Sequence, residues 1–248
     1  MLKGSLMQRF IALAIIVCFN ASHHAAAKDV AIPGGDDVKK SVQVYKKVGD
    51  VELKMFIVAP ADHKATDKRP AIVFFFGGGW NSGTPTQFAR QSEYLAARGM
   101  VAMAADYRVK SRQGVTPDKC LMDAKSAIRW ARANAAKLGI DPDRIVAAGG
   151  SAGGHLAAAT GTVPGFEEES EDTKISSVPN AMVLFNPALN LTAEGWGNDR
   201  GASIAARFDG KNVALSPHHH VKKGAPPALV IHGKNDSTVP YSQAENFA

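Results

Sequence analysis

Cysteine is scarce in this sequence, which contains only Cys18 and Cys120 among its 248 residues. Cys18 lies in an N-terminal apolar stretch that we expect to be removed, so a single thiol is left and an internal disulfide is excluded. We expect Cys120 to pack in a helix rather than to act as a nucleophile, because no neighbouring residue marks it as reactive. The hydrophobic core alone must therefore hold the fold together.

Long basic runs are also missing. The net charge of +6 is spread along the chain without a Lys/Arg block or interleaved aromatic residues, which gives little support to nucleic-acid binding. No internal repeat or low-complexity segment is present. A hydrophobic content of 45% and a charged content of 21% are those of an ordinary globular protein, and the length suits one domain.

The first 27 residues have the pattern of a secretory signal peptide. Lys3 and Arg9 precede the apolar residues 10–19, and an Ala-x-Ala sequence ends at Ala27. About ten apolar residues are too few for a membrane anchor, which needs roughly twenty. We therefore predict a signal peptide over residues 1–27 and an exported domain over residues 28–248, periplasmic or secreted and free of the membrane after cleavage. Cleavage lowers the net charge from +6 to +4.

The order of the remaining elements is that of an α/β domain. Two strand-like runs flank Gly49 and Asp50, which is typical of an antiparallel hairpin. Buried strands and helices then alternate, which predicts a mostly parallel sheet with helices on both faces. The predicted strands end near residues 76, 108, 150, 188 and 233, and the predicted helices cover residues 87–98, a segment from Pro117 to Gly139, and the segment after Ser151.

Two polar segments interrupt this pattern. Residues 190–223 are too long for a plain connection, so we expect a small cap insertion there. The acidic run at residues 167–172 lacks the spaced ligands and the turn glycine of a calcium loop, and it is more typical of a solvated loop. We therefore expect neither a metal ion nor a cofactor.

Ser151 lies between two pairs of glycines, in a sequence that fits the G-x-S-x-G motif. An apolar strand precedes it and an alanine-rich helix follows, which is the context that a nucleophilic serine requires on a sharp strand-to-helix turn. At the start of that helix, the backbone N–H of Ala152 can stabilise an oxyanion formed on the serine. A phosphate-binding loop is the alternative, but no lysine or longer glycine spread supports it.

Two further segments complete the pattern of an acyl-transfer site. The glycines 77–79 end a buried strand, and their bare backbone can aim N–H groups at a substrate, so with Ala152 they are candidates for an oxyanion hole. Asp236 follows a late buried strand, where the acid of a catalytic triad stands in the chain order Ser, Asp, His. Taken alone, Asp236 is more typical of an Asp-Ser turn.

The segments FFGGGW, GGSAGGHLAAAT and APPALVIHGKNDSTVP together resemble the α/β-hydrolase fold, and more narrowly the bacterial esterases of the hormone-sensitive lipase and acetyl (acetylxylan) esterase type. The similarity covers about residues 69–240. It implies a serine carboxylesterase for short-chain, acetyl-type esters on small molecules or carbohydrates, with acetylated plant polysaccharides as one candidate. Feruloyl esters, generic short-chain esters and a peptidase of the same fold remain alternatives. The resemblance implies these roles: nucleophile Ser151, triad acid Asp236, oxyanion donors Gly78, Gly79 and Ala152, and framework residues Asp106, Tyr107 and Arg108.

The sequence departs from the family in two places. Phe76 occupies the position of the usual histidine before the three glycines, so the oxyanion loop must be anchored differently. The triad histidine follows the acid by a helix and a strand in the family, and we expect it to lie beyond Ala248, with the last helix and strand missing. Other histidines are poor substitutes because a base must reach the nucleophile: His155, His218, His219, His220 and His232. A catalytically inert hydrolase-fold binding protein is therefore the alternative function.

Overall fold

A computed structural model describes residues 38–197 and 200–247. The predicted signal peptide lies outside the described residues. None of the helices within these two ranges is long and apolar enough to cross a bilayer.

Seven strands form one mixed sheet in the order β1-β2-β4-β3-β5-β6-β7. The pairs β1/β2 and β2/β4 are antiparallel, and the remaining four neighbouring pairs are parallel. The predicted N-terminal hairpin and mostly parallel sheet are thus confirmed. The strands are β1 (Val38–Val48), β2 (Val51–Pro60), β3 (Arg69–Phe75), β4 (Val101–Ala105), β5 (Ile140–Gly150), β6 (Ala181–Phe185) and β7 (Ala228–Ile231).

Three helices cover the two faces of the sheet. They are α1 (Ala89–Ala96), α2 (Pro117–Ala133) and α3 (Ala152–Thr162). Successive side chains of β3 alternate between the faces: Phe74 packs with Phe88, directly before α1, whereas Phe75 joins the larger core formed by α2 and α3. This double coverage explains why residues 71–75 of the strand are apolar on both faces of the sheet.

The boundaries of two predicted helices need correction. The helix predicted to run up to Gly139 ends at Ala133, because residues 134–139 form a turn that brings the chain back to β5. The helix predicted over residues 87–98 is a short 3-10 turn, Pro85–Phe88, followed by α1.

The long segment between β6 and β7 holds five short helical pieces instead of a plain loop. Its buried Trp196, Phe208 and Leu215 belong to the main core, so the segment is packed onto the domain. We refer to residues 190–223 as the cap. The short helices outside α1–α3 and Pro85–Phe88 are Lys110–Gln113, Ala193–Trp196, Gly201–Ala205, Ala206–Phe208, Asn212–Leu215, Pro217–His220 and Ser242–Glu245.

The acidic run at residues 167–172 is less solvated than we expected. Glu167 accepts from Lys125 and Arg129 of α2, and Glu171 accepts from Arg129 at 2.5 Å. Both cationic side chains are buried, so they need these carboxylates as partners. The run therefore fastens its loop to α2. Within the described ranges, no group of three or more His, Cys, Asp or Glu residues is arranged to hold a metal ion.

Candidate active site

Ser151 occupies the sharp bend between β5 and α3. Its backbone angles are φ +55° and ψ −120°, a combination that crowds the Cβ and is rare outside glycine. Two hydrogen bonds hold the bend: the Ser151 N–H donates to the Phe185 carbonyl at 3.0 Å, and the His155 N–H donates to the Ser151 carbonyl at 2.9 Å. The residue is half-buried and lies at the carboxyl edge of the sheet, directly after β5.

The glycines around Ser151 are required by close backbone packing. A Cβ on Gly153 would lie 2.0 Å from the carbonyl oxygen of Phe75, and a Cβ on Gly149 would lie 2.3 Å from the carbonyl oxygen of Gly153. Real Cβ atoms never approach an oxygen so closely. Strands β3 and β5 and helix α3 can meet at this bend only if both positions lack side chains.

The loop after β3, residues 77–79, lies beside Ser151 because β3 and β5 are neighbouring parallel strands. A Cβ on Gly77 would be 3.4 Å from the Cβ of Ser151. Gly78 and Gly79 have φ of +127° and +63°, which glycine adopts without strain. Among the hydrogen bonds of the described residues, none uses the N–H of Gly78, Gly79 or Ala152. Three backbone N–H groups without an acceptor thus lie in the two segments that adjoin Ser151, the glycine loop and the start of α3.

Aromatic stacking and two hydrogen bonds anchor the start of residues 77–80, which we call the oxyanion loop after the role predicted from the sequence. The Phe76 ring stacks on Tyr107 with 4.0 Å between centroids, and the Tyr107 hydroxyl donates to the Phe76 carbonyl at 2.6 Å. The Gly77 N–H donates to Oε1 of Gln87 at 2.5 Å. This N–H is therefore unavailable to a substrate, and Phe76 serves as an anchor in place of the family's histidine.

The far end of the loop is held by a buried side-chain bridge. Trp80, at φ +59°, donates from Nε1 to Nδ1 of His155 at 3.0 Å, and Nε2 of His155 lies 2.8 Å from the Leu215 carbonyl. Since Nδ1 accepts, the proton is on Nε2 and the ring is neutral. Complete burial disfavours the charged ring and lowers the pKa of His155 to about 4.

The cap also touches this loop. The Phe208 ring packs edge-on against Trp80, with 4.8 Å between centroids, and the Leu215 carbonyl closes the bridge through His155. The indole of Trp80 is thus enclosed by α3 on one side and by the cap on the other. Gln87, Trp80, Phe208 and Leu215 were not identified from the sequence; the only signal was the bulky Trp80 directly after three glycines.

Asp236 lies in the turn that follows β7, at the same edge of the sheet as Ser151. Its Oδ1 accepts the N–H groups of Thr238 and Val239 at 2.7 and 2.9 Å, so the Asp turn expected as the plain alternative is present. Its Oδ2 lies 3.7 Å from Nε2 of His232, which instead bonds to the Val239 carbonyl at 2.9 Å. One carboxylate oxygen therefore builds the turn and the other remains available.

No described histidine is hydrogen-bonded to Ser151. His155 uses both ring nitrogens in the Trp80–Leu215 bridge, and the His220 and His232 rings bond to backbone carbonyls. His218 and His219 contact each other, with 5.2 Å between ring centroids. Among the residues that the structure describes, the Ser151 hydroxyl has no hydrogen-bond partner. Among the described residues, Ser151 thus lies beside the predicted oxyanion donors, and no histidine is bonded to it.

The framework residues after β4 tie this edge of the sheet to α2. Arg108 makes two hydrogen bonds to the buried carboxylate of Asp123, at 2.7 and 2.8 Å, and Lys46 of β1 adds an ion pair at 2.8 Å. Asp106 pairs with Arg112 at 2.7 Å. Cys120 is fully buried nearby, and burial raises the pKa of its thiol well above the usual range, which leaves it unreactive.

Residues 55–248 match the BD-FAE family. Esterase LipC of Mycobacterium tuberculosis is 32% identical over 219 residues, which cover 80% of this chain and 52% of LipC. The probable carboxylic ester hydrolase LipM of the same organism is 31% identical over 207 residues, covering 75% of this chain and 46% of LipM. The chain spans about half the length of these curated relatives.

Solved structures of esterase 2 from Thermogutta terrifontis are similar in fold and sequence. Its apo form is 54% identical, with a TM-score of 0.79, and the alignment covers 88% of this chain and 78% of that chain. The chain belongs to the BD-FAE family and has the α/β-hydrolase fold of the esterases to which it is similar.

Proposed function

We propose that this protein is a serine carboxylesterase whose nucleophile is Ser151. The observation that carries the proposal is the strained, half-buried Ser151 beside three backbone N–H groups without acceptors, those of Gly78, Gly79 and Ala152. Donors that are fixed before the substrate arrives stabilise a developing oxyanion without reorganisation. The names of the relatives, esterase and carboxylic ester hydrolase, support the same reaction class.

The proposed reaction has two halves. The Ser151 oxygen adds to the ester carbonyl carbon while its proton passes to a general base, and the oxyanion accepts hydrogen bonds from the loop and from Ala152. The tetrahedral intermediate collapses, the alcohol leaves with the proton from the base, and an acyl-serine remains. Water then adds by the same route, releasing the carboxylic acid and restoring the serine hydroxyl. The mechanism needs no metal ion or cofactor.

Asp236 is proposed to orient the general base. Its Oδ1 is committed to the turn, whereas Oδ2 can accept the N–H of an imidazole. The base is proposed to be a histidine outside the described residues, because no described histidine is bonded to Ser151 and the His155 bridge leaves no free ring nitrogen.

The proposed substrates are short-chain, acetyl-type esters. Thermogutta terrifontis esterase 2 has been solved with propionate and with butyrate bound, which supports a site for short acyl groups in a protein of this fold. An exported location, supported by the signal-peptide pattern, would bring the protein to acetylated plant polysaccharides. Acetate release from acetylated xylan, compared with ferulate release from methyl ferulate, tests this assignment. Turnover of methyl ferulate alone would overturn it.

The role of Ser151 as nucleophile is tested with protein expressed from the natural gene. We expect Ser151→Ala to lower the rate on 4-nitrophenyl acetate by at least about a thousand-fold. The exposed Ser170, in the acidic loop, provides the control Ser170→Ala, which should retain the wild-type rate. Equal rates for wild type and Ser151→Ala would end the esterase proposal.

Covalent labelling gives an independent readout. Thermogutta terrifontis esterase 2 has been solved phosphorylated by paraoxon. We expect paraoxon to add a diethyl phosphoryl group to the peptide containing Ser151, located by mass spectrometry, and to leave Ser151→Ala unlabelled. If the protein shows neither hydrolysis nor labelling, the alternative function, an inert hydrolase-fold binding protein, is favoured instead.

A further inference from the structure

Arg207 of the cap lies directly over the oxyanion loop. Its Nη1 is 3.0 Å from the position that a Cβ on Gly79 would occupy. A guanidinium charge therefore stands next to one of the proposed oxyanion donors, on the side that a side chain at Gly79 would otherwise fill. The Arg207 side chain is exposed, so a molecule in the site can contact it.

The backbone that carries Arg207 is fixed by its neighbours. The next residue, Phe208, is buried and packs edge-on against Trp80 of the oxyanion loop. Nδ2 of Asn212 donates to the carbonyls of Ala205 and Leu191, at 2.9 and 3.0 Å, which fastens the same turn to the rest of the cap. The guanidinium is thus tethered at the loop through a packed anchor.

The charge of Arg207 has no partner within residues 38–197 and 200–247. Among the described residues, no carboxylate or other acceptor forms a hydrogen bond or ion pair with it. Other arginines are engaged: Arg108 pairs with Asp123, Arg112 pairs with Asp106, and Arg129 pairs with Glu167. An unpaired guanidinium offers a planar set of donors that matches a carboxylate.

We propose that Arg207 selects esters that carry a carboxylate group near the scissile bond. This specificity rests on the esterase function proposed above. The ester carbonyl would lie at the unused N–H groups of Gly78 and Gly79, and the second, anionic group would pair with the guanidinium above Gly79. Arg207 is a specificity-determining residue in this scheme and takes no part in bond breaking.

Two matched pairs of substrates test the proposal, with protein expressed from the natural gene. The pair 4-acetoxybenzoate and methyl 4-acetoxybenzoate places the charge on the alcohol side, and monomethyl adipate and dimethyl adipate place it on the acyl side. We expect kcat/KM to favour the anionic member of at least one pair. In Arg207→Gln this preference should fall by about ten-fold, because a charge-assisted hydrogen bond is lost.

Three controls separate charge recognition from other effects. Arg207→Lys should keep part of the preference, and 1 M NaCl should weaken it in the wild type because the screening length is then about 3 Å. Arg98 lies between α1 and the start of β4, at the edge of the sheet opposite Ser151. Arg98→Gln removes one positive charge there and should leave the preference for anionic esters unchanged.

The outcomes distinguish this proposal from the proposed function. If no member of either pair is hydrolysed by the wild type, the esterase function itself fails. If neutral esters are hydrolysed and Arg207→Gln lowers both members of each pair equally, or leaves the preference unchanged, the assignment of Arg207 is overturned alone. Unchanged thermal unfolding of Arg207→Gln would show that the variant is folded.

Discussion

Two substitutions at His155 separate the two hydrogen bonds that hold the end of the oxyanion loop. In His155→Asn, the amide oxygen falls near the position of Nδ1 and can still accept from Trp80, but the side chain is too short to reach the Leu215 carbonyl. In His155→Gln, the amide nitrogen falls near Nε2 and can still donate to Leu215, whereas Trp80 loses its acceptor. Each variant loses one buried hydrogen bond.

The expected effects follow from where the lost bond lies. A buried N–H left without an acceptor costs about 1–3 kcal/mol, and about 1.4 kcal/mol corresponds to a ten-fold change in population. Trp80 follows Gly79 directly, so its release misaligns the loop donors. Removing an oxyanion donor outright lowers kcat by about 10²–10³, which sets the upper limit. We expect His155→Gln to lower kcat by about ten- to a hundred-fold and His155→Asn by less than about three-fold.

The measurement is steady-state hydrolysis of a neutral acetate ester, together with thermal unfolding of both variants. Because each variant loses one buried bond, the two should unfold at similar temperatures, and stability cannot account for a difference in kcat. The KM values should change little, since the loop acts mainly on the oxyanion that forms after binding. Equal losses of kcat in both variants, or a larger loss in His155→Asn, would show that the Trp80 bond does not position the loop.

Three further predictions concern stability. Burial lowers the pKa of His155 to about 4, so the unfolded state binds the proton first as the pH falls below about 6.5. The free energy of unfolding, measured by urea titration, should therefore drop by about 3 kcal/mol by pH 4 in the wild type. The drop should be smaller in His155→Asn. Gly153→Ala drives a Cβ to 2.0 Å from the last carbonyl of β3 and should abolish soluble folded protein. Gly161→Ala in the same helix meets side-chain atoms only, Sδ of Met182 at 2.6 Å and Cγ of Pro226 at 3.3 Å, and should still give folded protein at a cost of about 1–3 kcal/mol. Asp123→Asn leaves the buried Arg108 without its charged partner and should cost about 3–5 kcal/mol in urea unfolding, while a loss near zero would contradict this account of the ion pair.

Features encoded by local patterns were predictable from the sequence. Three features each depend on residues within a few positions of one another: the apolar run at residues 71–75 of β3, the start of a helix at Pro117 and the bend at Ser151. Two pairs of glycines flank Ser151, and few causes other than close backbone packing explain such a pattern. The sequence alone therefore indicates close packing at this bend. The bend and the alternating elements together were sufficient to predict the fold class.

Features that depend on contacts between distant residues were not predictable. The acidic run at residues 167–172 was predicted to be a solvated loop, because the sequence of the run itself shows only that it is hydrophilic. Its partners, Lys125 and Arg129, lie about forty residues earlier on a helix whose apolar periodicity hides two buried cations. Only the packed structure shows that the loop and helix neutralise each other's charge.

The oxyanion loop combines both cases. Phe76 in place of a histidine indicates from the sequence alone that the loop has another anchor, but not which one. The anchor at its far end joins Trp80 to His155, 75 positions later, and His155 to Leu215, a further 60 positions later. One neutral ring thereby connects the loop, the helix that begins at Ser151 and the cap. Since Phe208 of the cap also packs against Trp80, the position of this residue depends on contacts with α3 and with the cap as well as on the local glycine sequence.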